Sequence, residues 1–316
     1  MSDLKVRWAL FADENEVTTR HRGIYVYEAL REMGWDAGPW DREERADIIV
    51  CQYSFKDQAA ALTHAPVVVQ DINDMVWMGS HPSAPNFNTN LRKAHAVVAG
   101  TEYLAERLQQ KHPFVRQIHD VVHPMYRAVK KVQHEGVNIL YTGMNDNAAY
   151  FSECDMVLKQ LVDEYNFKVH FVIPPRNGRG KSNAEIVGGK PYPTEFHEWS
   201  LPELVKQMTL GDIAWVPLVH TAWTYAKSPN KCVQFMAGGL ATMASDVPVY
   251  RRFMQHGVDS YLCRHPEDWL QYGRKLLSDV EDRTRIAEVG REAWKPFAPQ
   301  CIAQQWANLF EEIRPR

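Results

Sequence analysis

The sequence lacks a Cys-x-x-Cys pair, a long apolar run, a low-complexity tract and a marked excess of either charge. Its five cysteines (Cys51, Cys154, Cys232, Cys263 and Cys301) are odd in number and far apart. That pattern argues against a zinc site or a disulfide framework and for reduced thiols in a cytoplasmic compartment. No segment has the roughly 20 apolar residues that a membrane-crossing helix needs. The opening MSDLKVRWALFADENE meets acids after a short apolar run, so it does not read as a signal peptide. A net charge of −3 gives no general attraction to nucleic acid or anionic lipid. What is present is a globular composition, 45% hydrophobic and 24% charged, over 316 residues, enough for two domains of ordinary size. The ten tryptophans are scattered and read as core or cleft-wall residues.

Short apolar runs alternate with helical patterns, the signature of a parallel-sheet α/β architecture. In the first half, VRWALFA (6–12), ADIIVCQ (46–52), APVVVQD (65–71) and AHAVVAG (94–100) read as strands. DENEVTTRHRG reads as a polar loop before the helix IYVYEALREMG, and Thr101 as the N-cap of the helix TEYLAERLQQK. The polar, basic YRAVKKVQHEG (126–136) reads as a linker. A second series follows, with strands VNILYTGM (137–144), KVHFVIPP (168–175), DIAWVPLV (212–219) and LATMAS (240–245). Helices SECDMVLKQLVDEYN, LPELVKQMTLG and 229–238 alternate with them, and the last fifty or so residues are helical. The expected boundaries are an N-terminal Rossmann-like domain at 1–128, a second at 129–298, and a C-terminal helix at 299–316 packing back on the first. In such folds ligands bind beyond the carboxyl ends of the strands, and a cleft between two halves is the natural site.

The stretch YAKSPNKCVQFMAGGLATMAS (225–245) raises an electrostatic question. Ser228 is a good N-cap, Pro229 suits the first helical position, and Gly238-Gly239 is a plausible stop. Lys227 and Lys231 then flank the positive end of a helix dipole, where cations are disfavoured. An anion resolves the conflict, because helix N-termini offer unpaired N–H groups and two lysines four apart can converge on a diphosphate. Solvated surface lysines are the ordinary alternative.

From DIAWVPLV through KSPNKCVQFMAGGLATMASDVPVYRRFMQHGVDSYLC, the chain resembles the donor-binding domain of GT-B glycosyltransferases of the group 1 type. The resemblance is densest over 212–263 and extends to VVVQDINDM, AHAVVAGTEYLAERL, NILYTGM and the last helix PQCIAQQWANLF. It implies two Rossmann-like domains facing a cleft, a nucleotide-sugar donor as substrate, and transfer of the sugar to an acceptor hydroxyl. No bound metal or other cofactor is expected. Two glutamates that the family carries eight residues apart correspond here to Ala226 and Gln234. The Arg and Lys usual after the first strand of the second domain are replaced within TGMNDNAAYF.

On this resemblance Lys227, Lys231 and the Ser228-led helix start (Pro229, Asn230) would stabilise the diphosphate leaving group, and Gln234 would hydrogen-bond a ribose hydroxyl. Gly143, ending the first strand of the second half, joins the substrate-binding set, and His220 is placed to touch sugar or phosphate. Asp71 and Asp74, in QDINDM, are candidates to position or deprotonate the acceptor. Gly23 would permit close backbone approach, with Arg20 and Arg22 as anion contacts. Two other readings stay open: a sugar-nucleotide-binding protein that lost catalysis, and a glycosyltransferase acting on a nucleic-acid base through the basic RNGRGKS and VYRRFMQH. The segment KVHFVIPPRNGRGKSNAE comes near a P-loop, but Pro175 stands where the tight turn needs glycine or alanine, and no long helix follows. It is expected to be a long loop instead.

Overall fold

The computed structural model describes residues 3–53, 55–78, 85–144, 149–174 and 188–315. The chain forms two compact units. The first comprises Met1–His123, Tyr225–Ser228 and Lys295–Arg316, and the second Pro124–Thr224 and Pro229–Trp294. The near-P-loop at 175–182 lies outside the described residues.

The first unit holds a parallel six-stranded sheet of β1 (Lys5–Ala9), β2 (Asp36–Pro39), β3 (Ile48–Gln52), β4 (Val67–Ile72), β5 (Ala96–Ala99) and β6 (Val115–Gln117), in the order β2-β1-β3-β4-β5-β6. Every residue of β3 and β4 is buried, as expected of parallel strands covered on both faces. The helix Pro299–Glu312 presents Ile302, Ala303, Trp306 and Phe310, at helical spacing, to the core built on Val6, Trp8 and Val26. The Trp8 ring meets Trp306 and Phe310 edge-on, with centroids 5.9 and 5.7 Å away.

The second unit repeats the plan with β7 (Val137–Thr142), β8 (Phe167–Ile173), β9 (Thr194–Glu198), β10 (Ile213–Val216), β11 (Ala241–Ser245) and β12 (Tyr261–Cys263), in the order β12-β11-β10-β7-β8-β9. All its described pairings are parallel. Trp215 of β10 is fully buried and stacks on Trp269, ring centroids 5.1 Å apart. Gly273 makes that packing feasible, since a Cβ there would lie 2.9 Å from Leu161 and 3.0 Å from Trp215.

Three expectations change. DENEVTTRHRG is partly helical, with a short α-turn at Val17–Thr19 followed by a π-helical turn at Arg20–Ile24. Its buried side chains, Thr19, Arg20, His21 and Arg22, are polar, so hydrophobic periodicity does not mark it. The strands β2, β6, β9 and β12 are additional to those read from the sequence; they are short, and β9 (TEFHE) is largely polar. A short helix at Ala222–Tyr225 follows β10, and the helix expected at 229–238 starts at Asn230, with Pro229 rather than Ser228 at the capping position and no side-chain cap. It stops as expected: Gly238 is the C-cap and Gly239 adopts φ +75°, the left-handed conformation that glycine tolerates. Thr101 caps its helix, its hydroxyl accepting from the Leu104 N–H at 3.3 Å.

The expected outcome for the first-unit core is that Trp306→Ala costs about 3–5 kcal/mol, since a fully buried aromatic leaves a cavity among packed rings. Urea unfolding followed by circular dichroism checks it.

Candidate functional site

Both sheets reverse strand order at one point: between β1 and β3 in the first unit, and between β7 and β10 in the second. In open α/β sheets, ligands bind beyond the strands' carboxyl ends at such a point. The residues singled out by sequence cluster near these ends, each set within its own unit.

In the first unit, the end of β4 and the residues after it carry Gln70, Asp71, Asn73 and Asp74. Asp71 is buried and meets Arg22 with bidentate geometry, Arg22 Nε donating to Oδ1 and Oδ2 at 3.0 and 2.9 Å and Nη2 to Oδ1 at 2.5 Å. Arg22 Nη1 donates to Asp120 Oδ1 at 2.8 Å and to the Ile118 carbonyl at 3.0 Å. Burial alone would raise Asp120, but the Arg22 charge and hydrogen bond, aided by the Ser228 side chain, hold it below the usual carboxylate range. Burial raises Asp71 against the opposing pull of Arg22. Its bidentate geometry with a guanidinium held protonated by two carboxylates is that of a charged pair.

Asn73 Nδ2 donates to the Thr18 hydroxyl at 2.8 Å, and Asp74 accepts from Lys227 Nζ at 3.0 Å. The Ala226 carbonyl accepts from the Thr101 hydroxyl at 3.3 Å, and Tyr225 packs edge-on against Tyr103. Arg20 is buried, its Nη1 donating to the Glu14 carbonyl at 2.6 Å. Gly23 is where helix and sheet approach closely: a Cβ would lie 2.6 Å from Leu10 and 2.8 Å from Gln52 Nε2. The first unit therefore brings together Arg22, Asp71 and Asp120, pairs Lys227 with Asp74, and binds Ser228 to Asp120.

In the second unit, Gly143 follows β7, and a Cβ there would lie 2.7 Å from Lys231 Nζ and 2.8 Å from Tyr141 Oη. Lys231 Nζ lies 5.5 Å from the centroid of the Tyr141 ring. Asn230 and Gln234 are buried on the same helix, while His220 is exposed in the loop after β10. That loop is pinned by Ser245, whose hydroxyl accepts from the Leu218 N–H at 2.7 Å and donates to the Leu218 carbonyl at 2.9 Å. Lys231 thus stands by the end of β7, next to the switch point between β7 and β10, in the first turn of the helix Asn230–Ala237.

Sequence reasoning missed Asp120, His21 and Tyr141. It also finds no metal-ligand cluster, yet His170 of β8 and Glu195 and His197 of β9 have ligand atoms within 4.8 Å of one another. Two isolated histidines in different strands carry no spacing signal; only the parallel register, His170 beside Glu195 and Val172 beside His197, joins them.

The two Rossmann-like sheets define the GT-B fold. A glycosyltransferase from Rickettsia africae has this fold with a TM-score of 0.75 at 12% identity, over 99% of each chain. HepE from Anabaena, solved with UDP and glucose, superposes with a TM-score of 0.72 at 12% identity, over 98% of this chain and 99% of its own. Sucrose-phosphate synthase from Thermosynechococcus elongatus gives 0.71 at 12% identity, over 98% of each chain. No family model and no curated protein matches the sequence. Among the described residues no helix is long and apolar enough to cross a membrane.

His21 generates a pH prediction. Its Nδ1 faces the Val121 carbonyl at 2.5 Å, and burial lowers its pKa to about 4. A histidine kept neutral in the fold but titrating near 6.5 when unfolded contributes stability that is full above pH ~6.5. That contribution is lost as pH falls toward the folded value of about 4, on the order of 3 kcal/mol in total. Urea midpoints of the unaltered protein should fall across this window, and His21→Asn, which keeps a donor for Val121, should flatten that fall.

Proposed function

We propose that this protein is a nucleotide-sugar-dependent glycosyltransferase that moves a sugar from a nucleoside diphosphate to an acceptor hydroxyl. The observation carrying this reading is Lys231 beside Gly143, next to the β7–β10 switch point of a GT-B fold. Support comes from HepE, a chain of that fold solved with UDP and glucose.

In this reading the second unit takes the donor. Lys231 and the N–H groups opening the helix Asn230–Ala237 stabilise charge on the departing diphosphate, and Gln234 hydrogen-bonds the ribose. A Cβ at Gly143 would push the Lys231 ammonium aside. The first unit takes the acceptor. Asp74, partly exposed and paired with Lys227, is the carboxylate that meets its hydroxyl. Asp71, sequestered by Arg22, is a positioning residue. The reaction as proposed draws on no metal, and the free cysteines suit a reducing, cytoplasmic setting.

A thermal-shift panel of UDP, GDP, ADP and TDP tests the donor half. At a hundredfold excess over Kd, ligation stabilises by about 2.7 kcal/mol, which raises Tm by roughly 5–10 °C for a domain of this size. One nucleotide should do so, and Lys231→Ala should abolish the shift while the ligand-free Tm stays within about 1–2 °C. Silence across the panel rejects the reading. Released sugar detected by mass spectrometry after incubation with the matching sugar nucleotide separates an active enzyme from one that only binds.

A further inference from the structure

The cluster on the outer strands of the second sheet lies outside the chemistry described so far. His170 Nε2 is 3.1 Å from Asn138 Oδ1, and Asn138 Nδ2 donates to the Leu210 carbonyl at 3.0 Å. The amide of Asn138 is thereby oriented, and its oxygen must accept from His170. The proton of His170 is therefore on Nε2, and Nδ1 presents a lone pair. That lone pair points at His197 Nε2, 3.0 Å away.

On the far side of the second ring, His197 Nδ1 lies 3.4 Å from Glu203 Oε1 and 3.2 Å from Gln207 Nε2. Gln207 Nε2 in turn donates to Glu203 Oε1 at 2.7 Å. Gln207 Nε2 carries a second proton for His197 Nδ1, so Nδ1 accepts and the His197 proton sits on Nε2, donating to His170 Nδ1 in the ion-free protein. A divalent ion bound by both nitrogens would displace that single bridging proton, as metal binding to imidazole does. Glu195 Oε1, 3.7 Å from His197 Nε2, adds an anionic oxygen on the same face, while its Oε2 is held by Lys168 Nζ at 3.1 Å.

We infer that His170 Nδ1, His197 Nε2 and Glu195 Oε1 form a binding site for a divalent transition-metal ion of the zinc class. Nitrogen and oxygen ligands about 2.0–2.2 Å from tetrahedral zinc lie about 3.3–3.5 Å from one another. The separations of 3.0 Å between the imidazoles and 3.7 Å from Glu195 to His197 bracket that value. Two nitrogens and one carboxylate suit zinc, and the partly exposed setting leaves a fourth position for water. Each imidazole has the outer partner expected of a metal ligand, Asn138 for His170 and Glu203 for His197.

The site needs the register of two parallel strands: Glu195 and His197 alternate onto one face of β9, beside His170 on β8. As β9 ends the strand order, an ion there clamps an edge strand held on one side only by hydrogen bonds.

Isothermal titration of the full-length protein, stripped with EDTA and desalted, with zinc sulfate tests the site, alongside cobalt chloride followed by visible absorption. The expected result is one zinc per chain, a four-coordinate cobalt spectrum, and a raised Tm. Glu203→Gln should weaken zinc binding by roughly 10–100-fold, as loss of an outer partner does. His197→Asn should abolish stoichiometric binding and the cobalt spectrum. Because His170 is buried, His170→Ala is read only if its circular dichroism matches the unaltered protein; the less buried His197 carries the test otherwise. Absence of one-to-one binding, or binding unchanged in His197→Asn, overturns the inference.

Discussion

The first unit is organised around one guanidinium. Arg22 is fully buried, and its donors reach Asp71, Asp120 and the Ile118 carbonyl. Three separate stretches of chain meet there: the π-helical turn before the first long helix, the end of β4, and the segment following β6. Desolvating three charges is expensive, and such a cluster persists only when nearly every donor and acceptor is matched. The matching makes the cost useful. It fixes the carboxyl edge of the sheet, where the loops must hold shape, with an interaction that fails outright if any partner shifts.

Asp120 extends that organisation to Ser228, and Asp74 extends it to Lys227. The four residues Tyr225–Ser228 therefore fold with the first unit although they lie between segments of the second. A contiguous motif, KSPNK, is divided by this: its first lysine is neutralised by a carboxylate, and its second opens a helix beside Tyr141 and Gly143. In sequence the two lysines are equivalent, four residues apart at one helix start. The structure makes them different in kind, one a paired cation and one a cation at the positive end of a helix.

The strand cores were legible because parallel strands covered on both faces leave continuous apolar runs, as in IIVCQ and VVVQDI. The helix stop at Gly238-Gly239 and the cap at Thr101 were legible because local chemistry dictates them. The turn at Arg20–Ile24 was not, since its buried face is polar and its stability comes from partners 49 and 98 residues away. For the same reason the pairing of Asp71 with Arg22 carries no sequence signal, and Asp71 reads there as a candidate to position or deprotonate the acceptor. The His170–Glu195–His197 cluster was invisible in sequence because strand register alone assembles it.

Alanine at 226 and glutamine at 234, where the family that the sequence resembles carries glutamates, have a physical reading. Ala226 is fully buried, so a carboxylate there would be desolvated beside residues already paired with one another. Gln234 lies three residues after Lys231 on the same helix, and side chains at that spacing share a face. A glutamate at 234 would draw Lys231 into an i,i+3 ion pair and compete with any bound anion. An amide offers a ribose the same hydrogen-bonding reach without that competition. Under the proposed function, glutamine at 234 leaves the helix start more positive than glutamate would, which favours holding a diphosphate over pairing with a neighbouring carboxylate.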